Sequence, residues 1–177
     1  MNETPQQYIA RILDTLGGRD PLTVLTETPA RLRSLVANAT PDQLAWQPAP
    51  GKWSIAQILA HLADAEVTGA WRFRSVLAHD GGPLAAYDQN EWASAFRYEQ
   101  VPTAESLALF EALRAGNLSL LKRVDRARYA HVGIHSERGP ESITRLMEMY
   151  AGHDLNHLGQ IERYLEESRG VTAKTGA

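Results

Sequence analysis

Apolar residues recur at a helical spacing along most of this 177-residue chain, and this periodicity limits the fold more than any other feature. Residues three and four apart share one face of an α-helix, so the pattern predicts amphipathic helices that bury their apolar faces against one another. We find no convincing series of alternating strand residues, no glycine-rich phosphate loop and no internal repeat. The periodicity therefore predicts an all-α bundle, in which ligand sites are built from side chains on facing helices.

Capping residues, prolines and glycines set the limits of the predicted helices. Ser54 with Gln57, for example, forms a capping box that opens a long helix. We expect Pro29 to break or restart the second helix. The predicted helices run from Thr4-Pro5 to Gly17-Gly18, from Asp20-Pro21 to about Val36, from Ser54 to about Ala78, from Thr103 to about Val124, and from about Glu141 to Glu167.

The connecting segments are richer in proline and polar residues. Thr40–Lys52 holds three of the nine prolines and is predicted to be a loop with at most one helical turn. A short helix is predicted around Asn90–Phe96, and Asp125–Pro140 is predicted to be irregular. We therefore expect a four-helix bundle with extra short helices in a single domain over residues 1–168, followed by a flexible tail over residues 169–177.

Composition excludes several classes of protein. The chain has no cysteine, which excludes a disulfide framework, sulfur ligands to zinc and a cysteine nucleophile. The formal net charge is −3 and no run of Lys or Arg is present, so we expect no nucleic-acid partner. No apolar stretch approaches the roughly 18–20 residues that span a bilayer, and the N-terminus lacks the plan of a signal peptide. We therefore expect a cytoplasmic protein without a membrane partner.

His153 and His157 form the most specific chemical signal in the chain. At about 100° per residue they lie on one flank of the apolar stripe of the last helix and face inward. Residues four apart are one turn apart, so both imidazoles can reach one metal ion. The alternative is that the two histidines are only packed. A metalloprotease is not indicated, because Asp154 stands where the HExxH motif has glutamate and no third histidine follows.

A third ligand has to come from upstream. His61 flanks the main apolar stripe of the long helix, as His153 flanks its own, and is the best candidate. It ranks ahead of His79 at the helix end and ahead of His131 and His135 in a predicted loop. The alternative for His61 is a core histidine whose hydrogen bonds are satisfied within the protein.

The same long helix carries a second apolar face. A helix that is apolar on two sides is either central in the bundle or contacts a second subunit. We therefore expect a homodimer that forms through this face. The residues of this second apolar face are Ala60, Ala63, Val67, Ala70 and Trp71.

Five further residues are candidates for the site. Glu66 and Asp154 project near the centres of apolar stripes, where an unpaired carboxylate is costly. The catalytic interpretation makes them hydrogen-bond acceptors for a ligand or a general base, and the alternative is a salt bridge or a backbone cap. Tyr150 and Gln160, each one turn from a histidine, are candidates for a substrate pocket, although core packing and the helix edge are the alternatives. His135 is the third pocket candidate.

Two motifs resemble the DinB-like superfamily of metalloenzymes. The first runs from Trp53-Ser54-Ile55 through Ala60-His61-Leu62-Ala63-Asp64-Ala65-Glu66, and the second is Gly152-His153-Asp154-Leu155-Asn156-His157-Leu158-Gly159-Gln160-Ile161. The resemblance covers nearly the whole chain, including the His-x-Glu-x-Gly-like stretch near His135. It implies a four-helix bundle with His61, His153 and His157 as metal ligands, and a relation to bacillithiol and mycothiol S-transferases.

A three-histidine site implies catalysis, because it leaves coordination positions open. Imidazole ligands suit a divalent transition metal, zinc or nickel first and iron as an alternative. Such an ion can act as a Lewis acid, activate water or bind a thiol as thiolate. Since the chain has no cysteine, a low-molecular-weight thiol would have to be a cosubstrate. We expect a metal-dependent thiol S-transferase or hydrolase acting on a small molecule; the alternative is a non-catalytic, dimeric metal- or ligand-binding bundle.

Overall fold

The protein folds as a four-helix bundle in a computed structural model that describes residues 3–175. α2 and α4 each pack against both α6 and α7, and a shorter helix, α1, packs along α7. The prediction of an all-α four-helix bundle with extra short helices is confirmed. The long helices are α1 (Pro5–Leu16), α2 (Pro21–Ala37), α4 (Ile55–Ala78), α6 (Thr103–Arg123) and α7 (Ile143–Thr175).

The helices begin where capping chemistry predicts. Thr4 and Ser54 form reciprocal capping boxes at the starts of α1 and α4, and the side chain of Asp20 accepts from the backbone N–H of Thr23 in α2. Each such cap stabilises a helix by about 1 kcal/mol. The sequence predicts Thr103 as the N-cap of α6, but Pro102 is the N-cap and Thr103 is the first residue of the helix. The last helix continues past its predicted end to Thr175, and residues 176–177 of the predicted tail lie outside the described residues.

The prediction that Pro29 breaks or restarts the second helix is wrong. α2 is continuous through Pro29. Proline lacks an N–H, so the carbonyl of Leu25, four residues earlier, loses its helical donor. The guanidinium of Arg114 on α6 donates to that carbonyl at 3.0 Å. A tertiary hydrogen bond therefore replaces the missing helical bond, which sequence periodicity does not reveal.

In the described part of the chain, the connecting segments contain two short α-helices, two 3-10 helices (Tyr98–Gln100 and Arg126–Ala130) and a small sheet. α3 (Pro41–Ala45) and α5 (Gln89–Ala95) match the predicted single turn and the predicted short helix. The sheet was not expected from the sequence. β1 (Pro83–Leu84) pairs parallel with β2 (Val132–His135), which pairs antiparallel with β3 (Gly139–Ser142). Strands of two to four residues are too short to show an alternating pattern.

A polar layer separates two apolar clusters along the bundle. One cluster is centred on Phe73 and Leu146, and the other on Phe110 and Ile161. Between these clusters, α4 carries Glu66 and α7 carries His153, Asp154 and His157, whereas His61 lies among the α4 residues of the second cluster. The functional candidates therefore lie within the polar layer or at its edge.

Part of the second apolar face of α4 is exposed. Trp71 is 70% exposed and Val67 is 43% exposed, whereas Ala60 and Ala63 are buried within the chain. The predicted homodimer stays a prediction, and the exposed pair Val67 and Trp71 is the surface it would use. None of the described helices combines the length and the apolar character needed to cross a bilayer.

Candidate metal centre

α4 and α7 bring three imidazole nitrogens together. The Nε2 atom of His153 lies 3.0 Å from Nε2 of His61 and 3.1 Å from Nε2 of His157. His61 is 1% exposed and His157 is 8% exposed. We call these three residues the histidine cluster. The structure thus joins the helical His-x-x-x-His pair to the upstream histidine that the sequence favoured.

The geometry of the histidine cluster fits a shared metal ion. Nitrogen ligands at about 2.0–2.1 Å from one ion are separated by roughly 3.0–3.4 Å, which matches the observed spacing. Burial lowers the pKa of His61 to about 3 and that of His157 to about 4, and it lowers the pKa of His153 well below 6.5. The imidazoles are therefore neutral at physiological pH, as metal ligation requires.

Hydrogen bonding directs the nitrogen of His157 into the cluster. Nδ1 of His157 lies 2.9 Å from Oε1 of Gln160, whose amide nitrogen donates to the hydroxyl of Tyr164 at 3.0 Å. With its amide oriented in this way, Gln160 accepts a hydrogen bond from Nδ1–H of His157, so the lone pair of His157 is on Nε2.

The His61 ring packs against Trp53, with ring centroids 5.0 Å apart. Its buried Nδ1 has no hydrogen-bond partner among the described residues.

Glu66 and Asp154 do not reach the histidine cluster. Arg114, which is 2% exposed, lies 2.9 Å from Glu66 and 2.6 Å from Asp154. Asn117 also donates to Glu66 at 3.1 Å. Burial lowers the pKa of Arg114, but the two carboxylates raise it by more, so that it stays charged. The structure shows the salt-bridge alternative, in which both acids neutralise Arg114.

One side of the histidine cluster opens into a cleft of about 590 Å³. His61 and His153 line it, and Tyr150, a predicted pocket residue, is also on its wall. Gly69 makes room for Tyr150, because a Cβ at Gly69 would lie 2.9 Å from the tyrosine ring. Burial raises the pKa of Tyr150, which therefore remains protonated and able to donate a hydrogen bond. The other main side chains of the wall are Tyr8, Arg72, Tyr87 and Arg138.

The other predicted pocket residues lie behind the wall. Gln160 contacts His157, and His135 contacts Arg72, with its Nε2 3.2 Å from the guanidinium. Neither is among the residues that line the cleft. We predicted that Gln160 and His135 contact the substrate directly. In the structure they instead contact His157 and Arg72, which are residues of the site. Of the remaining histidines, His131 lies against the backbone of Val76, outside the histidine cluster.

Arg72 and Arg138, on the wall of the cleft, were not predicted from the sequence. A signal for Arg72 exists in the sequence. It follows His61 by eleven residues, and eleven steps of about 100° return to almost the same face of the helix. An arginine on the inward face of a helix that also carries a candidate ligand indicates a functional site. Arg138 lies in a loop, where no periodicity places it.

Known proteins resemble the chain over most of its length. The model of the DinB superfamily matches residues 25–161. A protein of Oceanobacillus iheyensis named "Putative metal-dependent hydrolase" is 29% identical over 77% of this chain and 79% of its own length. The "Putative metal-dependent hydrolase YfiT" of Bacillus subtilis is 27% identical over 79% of each chain.

The fold also has a match among solved structures. The structure described as "YfiT from Bacillus subtilis is a probable metal-dependent hydrolase with an unusual four-helix bundle topology" has a TM-score of 0.78 to this chain. The match covers 84% of this chain and 85% of the other, with 23% sequence identity. At that level of identity, the likeness establishes a shared fold.

Proposed function

The chain belongs to the DinB superfamily, and from this premise we propose that it is a metal-dependent enzyme that acts on a small molecule. The observation that carries the proposal is the convergence of three neutral imidazole nitrogens, at 3.0 and 3.1 Å, at the wall of a cleft. His61, His153 and His157 would hold one divalent transition metal, zinc or nickel first and iron as the alternative. The names of several relatives as metal-dependent hydrolases support it.

The chain itself supplies orientation and a partly enclosed pocket. Gln160 holds His157 with its lone pair toward the ion position. Tyr8, Tyr87 and Tyr150 line the cleft beside His61 and His153. When bound, a divalent ion supplies Lewis acidity and lowers the pKa of a coordinated water or thiol.

Hydrolysis is the first candidate reaction, and transfer of a low-molecular-weight thiol is the second. The names of the relatives favour hydrolysis. Thiol transfer is favoured by the engagement of Glu66 and Asp154 with Arg114, which leaves neither acid free as a general base beside the histidine cluster. A thiol has a pKa of about 8.5 and ionises on a metal more readily than water does, so it depends less on such a base.

Two parallel assays on metal-loaded protein test the proposal. The first follows hydrolysis of p-nitrophenyl acetate, and the second follows consumption of monochlorobimane with glutathione, bacillithiol or mycothiol. We expect turnover in one assay, lost in His153→Ala and kept in His79→Ala, since His79 is exposed at the end of α4. Equal turnover by both variants would contradict the proposed site.

The alternative is a non-catalytic metal- or ligand-binding bundle that dimerises through Val67 and Trp71. In that case the metal would be enclosed by a further protein ligand, and small molecules would not change its environment. Cobalt substitution distinguishes the two functions. We expect azide to alter the visible spectrum of the cobalt protein, because the cleft gives small anions access to the site. An unchanged spectrum would favour the alternative.

A further inference from the structure

Two arginines are buried among the residues that the structure describes, and their environments differ. Arg114 is 2% exposed and is neutralised by Glu66 and Asp154. Arg72 is 6% exposed and forms no ion pair with any carboxylate in the described part of the chain. A buried charge without a counter-charge is costly, and proteins retain one where it serves binding or catalysis. The buried charge of Arg72 is therefore best explained by a role in binding or catalysis.

The partners of Arg72 are neutral and hold its guanidinium in place. One amino group donates to the backbone carbonyl of Ala85 at 2.8 Å, and the other lies 3.5 Å from the hydroxyl of Tyr150. Nε2 of His135 lies 3.2 Å away, but Nδ1 of His135 already accepts from backbone N–H groups of residues 137 and 138. Its lone pair is therefore on Nδ1, so Nε2 carries the proton and gives Arg72 no acceptor.

Arg72 lies on the wall of the same cleft as the histidine cluster. Arg72 and His61 both line it, and they project from nearly the same face of α4. Eleven residues of helix separate their Cα atoms by about 16 Å, and arginine side chains lean toward the N-terminus, here toward His61. A single extended small molecule can therefore contact both residues with different groups.

The charges of the wall indicate which anion fits. The second arginine of the wall, Arg138, is already engaged by Glu141 at 2.7 Å. Glu3, Asp88 and Glu137 also line the cleft and oppose an excess of negative charge. Among the described residues that line the cleft, Arg72 is the one arginine without an ion pair. A single such cation beside these acids suits a monoanion better than a phosphate dianion, and the planar guanidinium of arginine matches a carboxylate.

We propose that Arg72 binds a carboxylate of the substrate, at a position several bonds away from the group that reacts at the histidine cluster. This inference rests on the proposed function for the identity of the reacting end. It predicts substrates that carry a carboxylate remote from the bond that is cleaved or formed. Ala85 and Tyr150, which accept hydrogen bonds from Arg72, act as positioning groups for the guanidinium.

Calorimetric titration with a matched pair of ligands tests the inference. The probes are 4-phenylbutanoate and its neutral amide, 4-phenylbutanamide, with phenyl phosphate as a third ligand. We expect wild-type protein to bind the carboxylate about tenfold more tightly than the amide, the size of one charge-assisted hydrogen bond. Arg72→Gln should lose this preference, and Arg72→Lys should keep part of it. Arg74→Gln, which removes a charge from an exposed position of α4, should behave as wild type.

The outcomes separate this inference from the proposed function. Circular dichroism of each variant verifies its helical content, and every titration is run on zinc-loaded and on chelator-treated protein. A preference for carboxylate over amide that depends on Arg72 supports the inference even where the protein binds no metal. Absence of that preference in wild type, its persistence in Arg72→Gln, or tighter binding of phenyl phosphate would overturn the inference, even if the histidine cluster binds metal as proposed.

Discussion

At the scale of single residues, Gln160 decides which nitrogen of His157 faces the ion position. Its Oε1 lies 2.9 Å from Nδ1 of His157. We predict that Gln160→Leu, which removes the acceptor, weakens zinc binding about 10–100-fold, the usual effect of losing such a partner. Gln160→Glu retains an acceptor oxygen and should bind zinc close to wild type. Competition with a chromophoric zinc chelator measures both affinities, and equal affinity of the Leu and Glu variants would contradict the assigned role.

The buried histidines also make the stability of metal-free protein depend on pH. Burial lowers the pKa of His61 from 6.5 to about 3 and that of His157 to about 4 in the folded state. Between about pH 4 and 6.5 the unfolded chain therefore binds more protons than the folded one. The free energy of unfolding should fall as the pH is lowered through this range, by up to about 1.4 kcal/mol per pH unit for each histidine.

Urea denaturation in a chelating buffer measures this slope. His61→Phe should reduce it, because one of the histidines protonated only in the unfolded chain is removed. His79→Gln is the matched control and should leave it unchanged, since His79 is exposed. A wild-type unfolding free energy that is constant between pH 5 and 7 would contradict the neutral, buried state of the cluster.

At the scale of the elements, Arg114 connects α6 to three other helices through hydrogen bonds and ion pairs. From α6, Arg114 reaches Glu66 on α4, Asp154 on α7 and the carbonyl of Leu25 on α2. We predict that Asp154→Asn lowers the free energy of unfolding by about 3 kcal/mol, because the two charge-assisted hydrogen bonds that Arg114 donates to this carboxylate, at 2.6 and 3.1 Å, are lost or weakened. Urea denaturation measures the loss.

An exposed ion pair provides the control for this prediction. Glu162 pairs with Arg31 at 2.8 Å, with both side chains more than two-fifths exposed. Glu162→Gln should cost less than about 1 kcal/mol. Zinc affinity should be similar in Asp154→Asn and wild type wherever the variant is folded. An unchanged stability of Asp154→Asn together with lost activity would instead restore the catalytic role of Asp154 that the sequence suggested.

Gly152 sets the distance between α1 and α7. A Cβ at this position would overlap the backbone carbonyl of Ile12. We predict that Gly152→Ala lowers the free energy of unfolding by about 1–3 kcal/mol, because backbone on both sides has to shift. Gly159→Ala, seven residues further along α7, meets no atom within 4 Å and should be neutral or stabilising by up to about 1 kcal/mol. Thermal denaturation compares the two, and equal effects would contradict the tight contact.

At the scale of the whole molecule, the bundle and the histidine cluster were both predictable from local patterns. Capping residues placed the starts of α1, α2 and α4, and helical faces singled out His61 with the His153 and His157 pair. These features depend on residues a few positions apart, so one sequence suffices to find them.

Long-range contacts account for what sequence analysis missed. Continuity of α2 depends on Arg114, which is 89 residues from its acceptor Leu25. The partner of Asp154 and Glu66 is the same arginine on a third helix, and the position of Arg72 in the cleft depends on how α4 packs in the bundle. A cytoplasmic location, the homodimer and the absence of nucleic-acid partners stay predictions.

Metal content after equilibrium dialysis tests the central claim most directly. Untagged protein is dialysed against zinc or nickel, and bound metal is measured by elemental analysis. We predict one ion per chain for wild type and for His131→Ala, and loss of that ion in His61→Ala, His153→Ala and His157→Ala, each shown to be helical by circular dichroism. A wild-type protein without bound metal, or cluster variants that each bind as much metal as the wild type, would contradict the account.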